Sequence, residues 1–110
     1  KSTIMKLIIF LLLITNISFS QITSATINGK VLVNDKPLIK SKITLIFLPT
    51  NSQYQTDTDK YGRFSIDNLE VGGPFKIIIE SDEIYDYTKS NIYLILGDND
   101  IPNINIVKKD

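Results

Sequence analysis

From Thr23 onward, apolar residues return at every second position, and the short runs they form are separated at near-regular intervals by Asn, Asp, Gly and Pro. That rhythm belongs to strands with one buried face, and no segment after Gln21 carries a helical period. The chain is therefore expected to be all-β. For short strands joined by tight turns, a two-sheet antiparallel sandwich is the economical packing.

The first strand is predicted over about Ala25–Val33, with Ile27, Val31 and Val33 on one face and Asn28, Lys30 and Leu32 on the other. Asn34-Asp35-Lys36-Pro37 reads as a turn. A second strand over 42–48 puts Ile43, Leu45 and Phe47 on its core face, and Pro49 to Ser52 breaks it. Tyr54 to Thr58 then reads as a polar edge strand, Asp59 to Gly62 as a turn, and 63–66 as a strand with Phe64 and Ile66 inward. Asn68 to Pro74 is a corner: two glycines can take positive φ, and a proline cannot donate to a ladder. Strands over 75–80, 92–96 and 103–107 complete a count of seven, with Ser81 to Asn91 and Gly97 to Asp100 as connections.

The front of the chain follows other rules. Met5-Lys6, the apolar run Leu7 to Ile14, and the small-residue zone ending at Ser18, Phe19 and Ser20 have the order of a secretory signal peptide. Ser18 and Ser20 occupy the positions that a signal peptidase reads, which places cleavage before Gln21. Residues 1–20 are accordingly assigned to the signal and 21–110 to one domain. The alternative is an uncleaved anchor, but the run falls well short of the ~20 apolar residues that a spanning helix needs. Removing Lys1 and Lys6 leaves 10 basic residues against 12 acidic ones, with Arg63 the one arginine and no basic stripe, so nucleic acid is not an expected partner. The chain contains no Cys, so its core must hold without disulfides and no lipid can be attached to a cysteine behind the signal.

The chain also lacks His, which with the missing Cys removes the usual general base, the thiol nucleophile and the soft metal ligands. The serines at 24, 41, 52, 65, 81 and 90 stand in no nucleophile-elbow or Ser-x-x-Lys context. No catalytic, cofactor-binding or metal-binding residue is assigned, no cofactor is expected, and the domain is read as one that binds or positions something. Three patterns admit a second reading. Asp57-Thr58-Asp59-Lys60-Tyr61-Gly62 begins like a calcium loop, although Tyr61 and Asn68 stand at ligand positions and a tight turn calls for the same Asp and Gly. Asp82, Glu83 and Asp86, with Asp98 and Asp100, either converge on a cation or are wet loops. Tyr54, Tyr85, Tyr87 and Tyr93 either make a sugar-stacking platform or pack as strand tyrosines do.

Two runs carry a resemblance to a known family. Ile27-x-Gly29-x-Val31, Pro37-Leu38 and Ile43-x-Leu45 form the first. The second is Thr58-Asp59-x-x-Gly62-Arg63-Phe64-x-Ile66-x-Asn68-Leu69-x-Val71-Gly72-Gly73-Pro74-Phe75, with Tyr93-Leu94-x-Leu96-Gly97 later. Together they resemble the carboxypeptidase regulatory-like domains, which share a transthyretin-like sandwich of seven strands. Ile39-Lys40-Ser41 replaces that family's usual Pro-Gly-Ala, and Ile84-Tyr85 its Gly before an aromatic. The Asn68 to Phe75 corner is similar to the subgroup at the mature N-terminus of TonB-dependent outer-membrane receptors. What the resemblance implies is a non-catalytic accessory domain on the periplasmic face of the outer membrane, whose partners are the plug and barrel of its own receptor and which supports import of a nutrient or macromolecule. A free-standing periplasmic or cell-surface module that binds carbohydrate or protein is the alternative.

Overall fold

The computed structural model describes residues 23–109. The expected signal peptide at 1–20 and its cleavage point before Gln21 lie outside the described residues. Among the described residues there are nine strands and no helix: β1 (Ala25–Val33), β2 (Lys36–Pro37), β3 (Lys42–Phe47), β4 (Ser52–Asp57), β5 (Arg63–Leu69), β6 (Gly72–Glu80), β7 (Tyr87–Leu94), β8 (Gly97–Asp100) and β9 (Ile104–Ile106). One sheet of five strands is built around β1, and a second of four runs β4-β3-β6-β7.

Both sheets turn their alternating apolar faces to one cluster. Ile27 and Val31 of β1, Ile43 and Leu45 of β3, and Phe75, Ile77 and Ile79 of β6 are buried in it. The directly opposed pairs Ile43↔Ile79, Leu45↔Ile77 and Phe47↔Phe75 show how register delivers apolar residues to one side. Phe47 and Phe75 meet with ring centroids 4.9 Å apart and tilted by 46°. Leu38 and Ile84, from connecting segments, are as buried as the strand residues. The buried hydroxyls of Ser41 and Thr58 satisfy each other at 2.9 Å, and the Ser41 N–H donates to Thr58 Oγ1 at 2.9 Å.

Seven antiparallel strands were expected; nine are present, and the pairing is mixed. Asn34-Asp35-Lys36-Pro37 is not wholly a turn. Asn34 and Asp35 both take positive φ, 51° and 65°, and make a two-residue hairpin that pairs Val33 with Lys36 and opens β2. Gly97 to Asp100, expected as a turn, is β8, which lies parallel to β1 in the register Ala25↔Gly97 through Asn28↔Asp100. β9 continues parallel to the far end of β1, from Val31↔Ile104 to Val33↔Ile106. β8 contains no apolar residue, so side-chain pattern cannot mark it as a strand; the open backbone edge of β1 makes it one.

Two other boundaries moved for local reasons. β5 runs to Leu69 because a bulge takes up Asn68, at φ 59°, and returns Leu69 to the core opposite Ala25. β7 begins at Tyr87, in a stretch expected to be a loop, because backbone pairing with β6 extends to Ile79↔Tyr87. The crossing from β5 to β6 is only Glu70 and Val71; Gly72, Gly73 and Pro74, expected as part of the corner, open β6, with Gly72 at φ 103° and a cis Gly73–Pro74 bond. At Gly73 a Cβ would lie 2.6 Å from the Ile92 carbonyl oxygen, so the approach of β6 to β7 requires its absence. Gly62 is equally constrained, since at φ 75° a Cβ would stand 2.5 Å from the Val31 carbonyl oxygen.

These contacts set the expected costs of substitution. Phe75→Ala should lower unfolding free energy by about 3–5 kcal/mol through the cavity it leaves. Gly62→Ala should lower it by about 1–3 kcal/mol through backbone strain. Urea titration of each variant checks both values, with the denaturant slope expected to match that of the parent.

Candidate functional site

A surface cleft lies where β4 of one sheet comes beside β5 of the other. It has a volume of about 420 Å³ and is lined by Asn28, Gly29, Asp57, Asp59, Arg63, Phe64 and Ser65. Strand parity supplies its walls. Asn28 and Ser65 are opposed across β1 and β5 on the outward side, while Gly29 and Phe64 are opposed on the core side. The Phe64 ring lies directly over Gly29, where a Cβ would come within 2.5 Å of it.

The outward wall is a hydrogen-bonded row. Ser65 Oγ donates to Asn28 Oδ1 at 2.8 Å, and Asn28 Nδ2 donates to Asp100 Oδ1 on β8 at 3.1 Å. Beside it, Thr26 Oγ1 donates to Asp67 Oδ1 at 3.1 Å. Three strands distant in sequence thus share one polar face. This row escaped sequence reasoning: parity marks Asn28 and Ser65 as outward, but only register makes them neighbours.

The rim is the Asp59 turn. Asp59 Oδ1 accepts the N–H groups of Tyr61 at 2.8 Å and Arg63 at 2.9 Å, and the Gly62 N–H donates to the Asp59 carbonyl at 3.0 Å. Arg63 Nε stands 3.9 Å from Asp59 Oδ2, and its guanidinium lies 4.5 Å from the centre of the Tyr61 ring, which Lys60 also approaches at 5.1 Å. Of the two readings of the 57–62 run, the geometry is that of a turn. The backbone N–H groups of Arg63 and then Tyr61 hold the Asp59 carboxyl below its ordinary pKa of 3.8.

The other sequence patterns do not assemble. Among the described residues no three acidic side chains come together as a metal-holding group; Asp98 and Asp100 lie on β8, whereas Asp82, Glu83 and Asp86 precede β7. Tyr54 and Tyr93 sit on β4 and β7, the opposite edges of the four-stranded sheet, so the four tyrosines form no common platform. The Tyr54 hydroxyl donates to Glu70, a bond that raises its pKa above the ordinary 10.0. Tyr87 packs against the core, while Tyr85 and Tyr93 are 68% and 65% exposed. The hydroxyls of Ser41, Ser52, Ser65 and Ser81 bond to Thr58, Thr50, Asn28 and a backbone N–H respectively, none of which is a general base.

No protein-family model matches the chain, and no curated protein does. By structure it is similar to a candidate carbohydrate-binding protein from Bacteroides uniformis, at 13% identity and a TM-score of 0.60, over 74% of this chain and 40% of that one. It is similar also to 3-chlorocatechol 1,2-dioxygenase from Rhodococcus opacus, at 11% and 0.63, over 82% and 62% of the two chains. A third likeness, at 10% and 0.58, is to catechol 1,2-dioxygenase from Pseudomonas arvilla, over 84% and 54%. At these identities the likeness is one of fold, an all-β arrangement that proteins of different function share. The chain spans between 40 and 62% of the length of these structures.

The Asp59 turn yields a pH dependence with a definite sign. A carboxyl whose pKa falls on folding stabilises the native state above the ordinary carboxylate range, and that contribution is lost as pH falls through the lowered native value. Asp59→Asn keeps an acceptor for the turn and removes the titration. Its stability from about pH 7 to about pH 2, measured by urea unfolding, should therefore decline less steeply than that of the parent.

Proposed function

We propose that this chain is a non-catalytic, exported accessory domain of the carboxypeptidase regulatory-like kind. In this reading it stands on the periplasmic side of a TonB-dependent outer-membrane receptor and supports import through protein contacts. The observation that carries the reading is the run Asn68-Leu69-x-Val71-Gly72-Gly73-Pro74-Phe75. It is built as a bulge followed by a crossing between the two sheets, with Phe75 at the centre of the core and Val71 turned to solvent. The absence of His and Cys from the sequence supports a binding role over a chemical one. Sequencing the gene past codon 110 tests the assignment. A plug followed by strands of alternating pattern is expected, and a stop codon at that point would overturn it. Intact mass of the protein recovered from the envelope fraction should correspond to a chain beginning at Gln21.

A second reading is favoured by a different observation. The fold is similar to that of a candidate carbohydrate-binding protein, and the cleft beside Phe64 joins an apolar floor to the amide, hydroxyl, carboxylate and guanidinium of Asn28, Ser65, Asp57 and Arg63. Such a mixture suits a hydroxyl-rich ligand. Titration with a panel of oligosaccharides, followed by tyrosine fluorescence, tests it: binding that weakens in Arg63→Ala supports a sugar site, and a flat response across the panel removes it.

A further inference from the structure

The four-stranded sheet ends in two edges of different character. On β7, Lys89 is opposed to Ile77 and so stands on the core face of an edge strand, and the register with β6 shifts between Phe75 and Ile77, beside Asn91 at φ 60°. An inward charge and a bulge are devices that keep an edge from pairing with another chain. β4, at the other edge, has neither. It pairs with β3 without a register shift over Lys42↔Asp57 to Phe47↔Ser52, and it contains no proline, glycine, lysine or residue of positive φ. Its one charge is Asp57, at its end.

The hydrogen-bond phase shows which groups β4 leaves open. Thr58 donates to the Ser41 carbonyl at 3.0 Å, which makes Thr58 a residue bonded toward β3 and, by alternation, Thr56, Tyr54 and Ser52 as well. The N–H and C=O groups of Gln53, Gln55 and Asp57 therefore point away from β3, and among the described residues no other backbone group bonds to them. Their side chains are exposed.

We propose that this edge pairs with the same edge of a second copy, antiparallel about a two-fold axis through Gln55. A two-fold axis normal to the sheet keeps each face continuous, so residues of like parity must oppose each other. With Gln55 opposite Gln55, both Gln53↔Asp57 pairs are also of the bonded kind, and every open backbone group of the edge is satisfied. The register sets the Asp57 carboxylate against a Gln53 amide, which can donate to it, whereas a parallel in-register pairing would set Asp57 against Asp57. Thr56 and Tyr54 meet on the core side. The result is one eight-stranded sheet crossing two domains. A contact of six residues per chain lies at the small end of specific interfaces, so the dimer should be concentration-dependent, with half-association at about micromolar concentration or above.

Sedimentation velocity of the purified protein from about 1 µM to about 1 mM tests this, with a dimer expected to grow in across the range. Gln55→Pro removes an outward N–H while leaving the β3 ladder intact, and Gln55→Lys puts like charges together on the axis; both should stay monomeric with unchanged circular dichroism. Gln55→Cys supplies the chain's sole thiol and should form an intermolecular disulfide, since bonded antiparallel pairs stand ~5.5 Å apart at Cα. Thr88→Cys on β7 should not. A parent that remains monomeric throughout overturns the proposal. So does a dimer that survives Gln55→Lys, which places the contact elsewhere whether or not Gln55→Pro folds.

Discussion

The backbone ladder of β1 is the constraint on which the rest of this domain depends. β5 and β8 both pair with Ala25 to Asn28, so they occupy opposite edges of β1; β2 and β9 divide its far end in the same way. A nine-residue strand bonded on both edges, with alternate side chains in the core, leaves few choices to its neighbours. That is why Gly97-Asp98-Asn99-Asp100, a sequence with poor strand propensity, nevertheless lies as a strand: its backbone completes an edge that would otherwise face water unpaired.

Around this frame, short polar side chains hold the connections by bonding to backbone. Asn99 is the fullest case. The two hydrogens of its Nδ2 are shared among the carbonyls of Thr26, Ile95 and Gly97, all within 3.1 Å, and its Oδ1 accepts the Ile95 N–H, so one amide fixes the passage from β7 to β8. Asp59 does the same for the turn into β5, and Ser41 with Thr58 for the buried flank of β3 and β4. Loops that leave a ladder carry orphaned N–H and C=O groups, and Asp, Asn, Ser and Thr are short enough to answer them locally. The residues that most resemble ligands in this chain are thus largely engaged in holding its own turns.

The candidate surface features follow from the same economy. The cleft beside Phe64 exists because the two sheets meet at β4 and β5, and its polar wall exists because β1 brings Asn28 between Ser65 and Asp100. The edge chemistry is a separate inheritance of the second sheet, whose outer strands differ in whether charge and irregularity guard them.

The all-β class, the two-sheet packing, and the inward residues of β1, β3 and β5 were legible in the sequence, because a period of two with one apolar face has few other ways to bury itself. So was the turn at Asp59 to Gly62, where Asp and Gly have local reasons to be. The parallel strands β8 and β9, the bulge at Asn68, and the Asn28–Ser65–Asp100 row were not. Each depends on which strand lies beside which and in what register, and that is settled by long-range backbone pairing, as between Val31 and Ile104 at opposite ends of the fold's sequence. The sequence by itself determined which faces turn inward, since that is a matter of hydrophobic period. Only the tertiary structure decided which polar residues meet, because a hydrogen-bond ladder reads backbone geometry and is indifferent to the side chains it brings together.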